Sequence, residues 1–139
     1  DGQSRPLSEV EFELKAGDAS LLLAWARRLA DEVPVFLNLV SKAEQGYYLA
    51  GLYHPVSKAE QNAELSVNEF LFLLSVSWLT GQSAPVNGDD FRAIARMAGE
   101  RGVGELYQRV FRSLAEGNAI GDMASSKELG QLQLAIAAA

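Results

Sequence analysis

The stretch GYYLAGLYH, residues 46–54, places three tyrosines and the chain's single histidine within nine positions. An imidazole beside phenols suits proton transfer or hydrogen bonding, but His54 has no second histidine to work with. With no cysteine either, zinc clusters and paired-histidine metal sites are excluded. A serine–histidine–carboxylate triad would have to use His54, and no serine lies in a nucleophile-elbow sequence. Pro55 follows directly and cannot continue a helix, so the mid-helix setting of a phosphotransfer histidine does not fit. His54 therefore reads as a helix-end residue, exposed or bonded to the last carbonyls.

The tyrosines point to contact rather than catalysis. Tyr47 is three positions before Ala50 and seven before His54, whereas Tyr48 groups with Leu49 and Leu52 on another face. One tyrosine face must then reach the surface, where a large, rigid side chain with a polar tip favours interfaces. Tyr47, Tyr48, Tyr53 and His54 are candidate partner-binding residues; the competing reading is that they finish the edge of the core. Glu9, Glu11 and Glu13 form an acidic comb that would join them against a basic partner.

A second candidate surface is basic. Five arginines against two glutamates lie within residues 91–115. Arg92 and Arg96 are one helical turn apart, as are Arg109 and Arg112, so each pair makes a ridge for an acidic partner or a phosphate. The competing reading is compensation inside the fold, with the glutamate comb facing these arginines. EGNAIGD at 116–122 resembles a calcium loop at its first, third and sixth positions. It fails at Ile120 and at Lys127, where oxygen ligands are needed, and reads as a glycine-rich turn. No catalytic set, no metal ligand set and no cofactor motif emerges.

Composition bounds the remaining classes. A chain of 139 residues with 48% apolar and 22% charged side chains is expected to be one domain spanning 1–139. The net charge of −6 argues against nucleic acid as a partner. That charge is uneven: residues 1–70 carry six basic and eleven acidic groups, and residues 71–139 six and seven. The apolar run Phe70–Trp78 is shorter than the roughly 20 residues a bilayer needs, so no membrane span is expected. The polar start DGQSRP leans weakly towards an exported, periplasmic chain of bacterial type, with the cytoplasm as the alternative.

These residues are positioned by short helices. VSKAEQ occurs at 40–45 and again at 56–61, and each copy contains Ser-x-x-Glu, the capping box that opens a helix. The box recurs at Ser66–Glu69, with Leu65 and Phe70 as a hydrophobic staple, and at Ser125–Glu128. Asp18 and Asp89 are single caps. Helices are predicted over 19–32, 35–53, 58–64 merging into 67–80, 90–101 and 104–116, with Pro34 dividing the first two; the second has its capping serine as an alternative start. Loop residues cluster at 80–89.

Two segments alternate with period two. EVEFELK at 9–15 puts Val10, Phe12 and Leu14 on one side of a strand, although Ser8 and Glu11 also match a capping box. QLQLAIA at 131–137 alternates as well, but Leu129, Leu132 and Ile136 suit a helix. Two terminal strands would pair as a small ribbon.

The expected fold is a mainly α single-domain bundle of five to six short helices around Trp25, Phe72, Trp78 and Phe111. The expected function is a non-enzymatic protein-binding module of inhibitor, immunity, adaptor or chaperone type, compatible with homo-oligomers. The alternative is a small-molecule protein or enzyme with a pocket lined by Phe70, Phe72 and Trp78. A nucleic-acid regulator using the arginine ridge is the third, disfavoured by charge.

Overall fold

Ser41 and Ser66 each accept a backbone N–H three residues on, while their own amides donate to Glu44 and Glu69 at 2.7 Å. These two capping boxes set the starts of two of the seven helices in the computed structural model, which describes residues 4–55 and 64–137. In chain order the helices are α1 (Ser20–Glu32), α2 (Lys42–Leu49), α3 (Val67–Thr80), α4 (Arg92–Glu100), α5 (Gly104–Ala115), α6 (Ile120–Met123) and α7 (Lys127–Ala137). The mainly α expectation holds.

Helices α3 and α7 are the centre. Both bury residues around most of their circumference, as helices enclosed by neighbours must. Amphipathic α4 and α5 form a hairpin against α7, and α1 packs chiefly along α7. The hairpin turns at Gly102 (φ +74°), whose N–H donates to Gly99 O while Val103 N–H donates to Ala98 O. That double bond to the helix end requires left-handed backbone, which glycine supplies without a Cβ clash. Aromatic rings join the layers: Phe70 meets Phe91 edge-on at 5.3 Å, Phe91 meets Phe111 at 5.9 Å, and Tyr107 stacks on Phe111 at 5.8 Å.

Between α1 and α2 the chain runs as a non-helical strap, residues 33–41, entering and leaving with extended dihedrals at Val33 and Ser41. Its polar backbone is satisfied by side chains rather than by a sheet. Leu37 N–H donates to Gln133 Oε1 and Leu37 O accepts from Gln133 Nε2, both at 2.9 Å. Leu39 N–H donates to Ser75 Oγ at 2.9 Å, and Gln45 Nε2 donates to Val40 O at 3.1 Å. The strap crosses α7 so closely that a Cβ on Gly130 would overlap the Val35 carbonyl oxygen and lie 2.9 Å from Val35 Cγ2.

Several expectations are corrected. The terminal ribbon is not formed: among the described residues there is no strand. Residues 131–137 are the body of α7, because burial on nearly every side removes the reason for strict alternation. Residues 9–15 belong to an arm without helix or sheet, held by side chains rather than by a strand partner. The helix predicted over 35–53 begins only at Lys42, since the strap occupies 35–40. Trp25 is 54% exposed and lies outside the core, whose fully enclosed large side chains are Phe70, Phe91, Leu74, Ile94, Ile120, Leu129 and Leu132. Phe72, Trp78 and Phe111 are half-buried at its margin. At Ser125 no capping box forms, because Ser125 Oγ donates to Asp122 O and Glu128 pairs with Arg109. The second VSKAEQ copy and the helix predicted over 58–64 lie almost entirely outside the described residues.

The strap crossing is testable. Gly130→Ala should destabilise the protein by about 1–3 kcal/mol through overpacking. Gly99→Ala has open space around the added methyl and should be neutral or stabilising by up to about 1 kcal/mol. Urea unfolding of the two variants beside wild type measures both.

Candidate functional site

Helix α2 carries Tyr47 and Tyr48, leads into Tyr53 and His54, and is fixed at both ends. At its start, Glu44 closes the capping box, and the bonds from the Ser41 amide and to its hydroxyl hold the Glu44 carboxyl below its ordinary range. Tyr53 donates its hydroxyl to Glu44 Oε1 at 3.3 Å, folding the segment after the helix back onto its first turn. Partial desolvation, then the neighbouring Glu44 charge, raises the Tyr53 phenol. At its end, Gly51 (φ +73°) donates to Tyr48 O and Leu52 donates to Tyr47 O at 2.9 Å. This turn leaves Tyr47 (56%) and Leu52 (76%) as exposed neighbours. Tyr48 is half-buried and meets the exposed His54 ring edge-on at 6.4 Å. The tyrosine group is thus split: Tyr47 faces solvent, while Tyr48 and Tyr53 hold the local fold.

The acidic comb reaches the same helix. Glu9 and Glu11 both pair with Lys42, the first residue of α2; the Glu11 contact is 3.4 Å. The Lys42 hydrogen bond is the main cause that lowers the Glu9 carboxyl, and Glu9 correspondingly raises the Lys42 ammonium. Glu13 pairs instead with Lys15 at 2.7 Å. The comb is therefore compensated by lysines of the N-terminal half, not by the arginines of α4 and α5. Residues reach these positions because the arm is tethered at both ends. Arg5 stacks on Trp78 with its guanidinium 4.2 Å from the ring centre. It donates to Leu79 O at 3.0 Å and Trp78 O at 3.2 Å, carbonyls that the end of α3 leaves open. Asp18 at the other end accepts from Ser20 N–H at 2.9 Å, but the helix is capped one residue later at Ala19 without a side-chain bond, so the single cap expected at Asp18 is not formed.

The arginine ridge divides too. Arg92 Nη2 lies 2.5 Å from Asp89 Oδ1, and Arg92 Nη1 lies 3.8 Å from Glu64. Arg109 pairs with Glu128 at 2.8 Å, while Arg96 and Arg112 carry no ion pair among the described residues. Asp89 thus serves Arg92 rather than capping α4. In the turn resembling a calcium loop, Asn118 Nδ2 donates to Ser113 Oγ at 2.8 Å and to Glu116 at 3.5 Å, which commits that polar set to closing the turn. Among the described residues no group of three or more histidine or carboxylate side chains converges. Of the residues named for a pocket, Phe70 is enclosed, and Trp78 contacts Phe36 at 6.0 Å and Arg5. An open cleft of about 260 Å³ lies elsewhere, between α1, α5 and α7, and is lined by Arg27, Asp31, Val103, Leu106, Gln131 and Ala135 among others. That is below the roughly 300–1,000 Å³ of most small-molecule sites.

Composition and periodicity missed one feature of this surface. Leu7, Val10, Phe12, Leu14, Leu21, Trp25, Val33, Leu39, Tyr47 and Leu52 are all exposed, and every one lies in the first 52 residues. Residues 64–137 present no large apolar side chain of comparable exposure. The signal was available for Leu21 and Trp25, which are one turn apart, but sequence alone does not say which stripe of α1 meets α7. No protein-family model matches the chain, and neither does any curated protein or solved structure.

The clasp on Lys42 has a pH signature. A carboxyl lowered in the folded state stabilises above its unfolded value of 4.5 and loses that contribution as pH falls through the folded value. Glu9 should titrate below 4.5 by carbon-detected NMR in wild type and move back towards it in Lys42→Ala. An unchanged Glu9 midpoint would remove the clasp from the account.

Proposed function

We propose that this chain is a non-enzymatic protein-binding module, of the inhibitor, immunity, adaptor or chaperone kind, whose partner docks on the surface carried by its N-terminal part. The supporting observation is that, among the described residues, all ten exposed large apolar side chains lie within residues 7–52. A large apolar patch rimmed by polar groups marks interaction surfaces on soluble domains, whereas scattered single residues carry no such meaning. Here Tyr47 and Leu52 are joined through one helix-ending turn, and Lys42 brings the arm to the start of the same helix. Tyr47, with His54 beside Tyr48, supplies anchors; Glu9, Glu11 and Glu13 add negative charge that would speed encounter with a basic partner. Trp25 on α1 is also exposed, with Arg28 4.8 Å over its ring.

The test uses a photo-reactive amino acid placed at position 47, at position 52, or at position 112 on α5, in cells that produce the protein. One protein should be captured from 47 and 52 and not from 112. Purified, it should bind Tyr47→Ala/Leu52→Ser at least tenfold more weakly than wild type, about 1.4 kcal/mol. Equal labelling from all three positions would reject the reading.

A further inference from the structure

We infer that residues 9–15 of the arm are a docking strand, which adds itself to the exposed edge of a β-sheet in the partner protein. The inference rests on the protein-binding reading above and names the partner's chemistry. The sequence is Glu9-Val10-Glu11-Phe12-Glu13-Leu14-Lys15, an unbroken period-two alternation. Side chains two apart point the same way only when the backbone is extended. Glu9 and Glu11 behave so, since both reach the one ammonium of Lys42. The clasp holds Glu9 and Glu11 towards Lys42, with Val10, Phe12 and Leu14 on the opposite side of the extended segment. Those three apolar side chains are 65%, 40% and 41% exposed.

The main chain is equally available. Among the described residues, no backbone N–H or C=O of residues 9–15 takes part in a hydrogen bond. Arg5 on the end of α3 and Asp18 at the start of α1 fix the arm on either side. Alternating apolar side chains, unused backbone groups and fixed ends are what strand addition uses: the ladder provides affinity, and pockets for every second side chain provide specificity. A tethered arm also loses less freedom on binding than a loose one.

A second copy of this chain is a poorer occupant. The described residues contain no strand whose edge could receive the arm. Antiparallel pairing of two arms about Phe12 would set Glu11 against Glu13 twice, and like charges directly opposite destabilise. A two-stranded ribbon is in any case marginal in water. The partner is therefore a different protein with an unpaired sheet edge beside an apolar groove.

The experiment follows amide hydrogen exchange of residues 9–15 in the whole protein by NMR. The probe is a peptide of alternating threonine and valine with a lysine at each end; the control is the same peptide N-methylated at every threonine and valine. In the free protein the arm amides should exchange at nearly unstructured rates. The unmethylated peptide should slow alternate amides by about tenfold or more, the methylated one should not, and Phe12→Asp should abolish the effect with unchanged thermal stability. Slow exchange in the free arm, equal protection by both peptides, or no protection would each overturn the docking strand. So would protection that grows with protein concentration alone, which would assign the edge to a second copy. Failure here together with selective capture from positions 47 and 52 removes the strand and leaves the binding module standing.

Discussion

Gln133 lies at the centre of this fold with no exposed surface, and both ends of its amide bond the backbone of Leu37. A polar side chain in an apolar core is tolerated only when fully partnered. The strap that partners it has the converse need, because a non-helical segment crossing buried helices has backbone groups that water cannot reach. Each solves the other's problem. Ser75 repeats the arrangement one helix away, accepting from Leu39 N–H and donating to Leu71 O at 2.8 Å. Gly130 then lets the strap lie directly against α7. Among the described residues no buried side-chain nitrogen or oxygen lacks a partner.

That crossing explains the division of the molecule. The part from Leu65 onward closes its own core through α3 to α7, with aromatic contacts linking α3, α4 and α5. The part before it wraps around the outside: arm, α1, strap and α2 are attached by one face of α1, by Phe36 and Leu37 of the strap packed on that core, and by a few directed bonds. A peripheral layer of this kind cannot bury all its apolar side chains, because each element meets the core on one side only. The exposed set from Leu7 to Leu52 follows from that geometry.

Electrostatics fits the same division. The acids of the arm are matched by Lys42 and Lys15, and two of the arginines in the later helices by Glu64, Asp89 and Glu128. These pairs are solvent-exposed and of low individual worth. Their effect is on orientation. Lys42 gathers Glu9 and Glu11 of the arm at the start of α2, and Arg109 takes the glutamate that the Ser125 capping box would have used.

Local signals were legible in the sequence where the physics is local. The boxes at Ser41 and Ser66, the Leu65–Phe70 staple, the break at Pro34 and the glycine-ended helices depend on neighbours within five residues, and the chain states them directly. On α5, Leu106, Tyr107, Val110, Phe111 and Leu114 have the spacing of one helix face, and there Tyr107, Val110 and Leu114 are buried while Leu106 and Phe111 are half-buried. Tertiary structure decided what depends on residues far apart. QLQLAIA is a helix because it is surrounded, Trp25 is outside because α1 turns another stripe to α7, and residues 35–40 are a strap because Gln133 and Ser75 wait for them. Periodicity reports how many faces of an element are apolar; it cannot report which partner arrives at each face, and burial energy is settled only by that arrival.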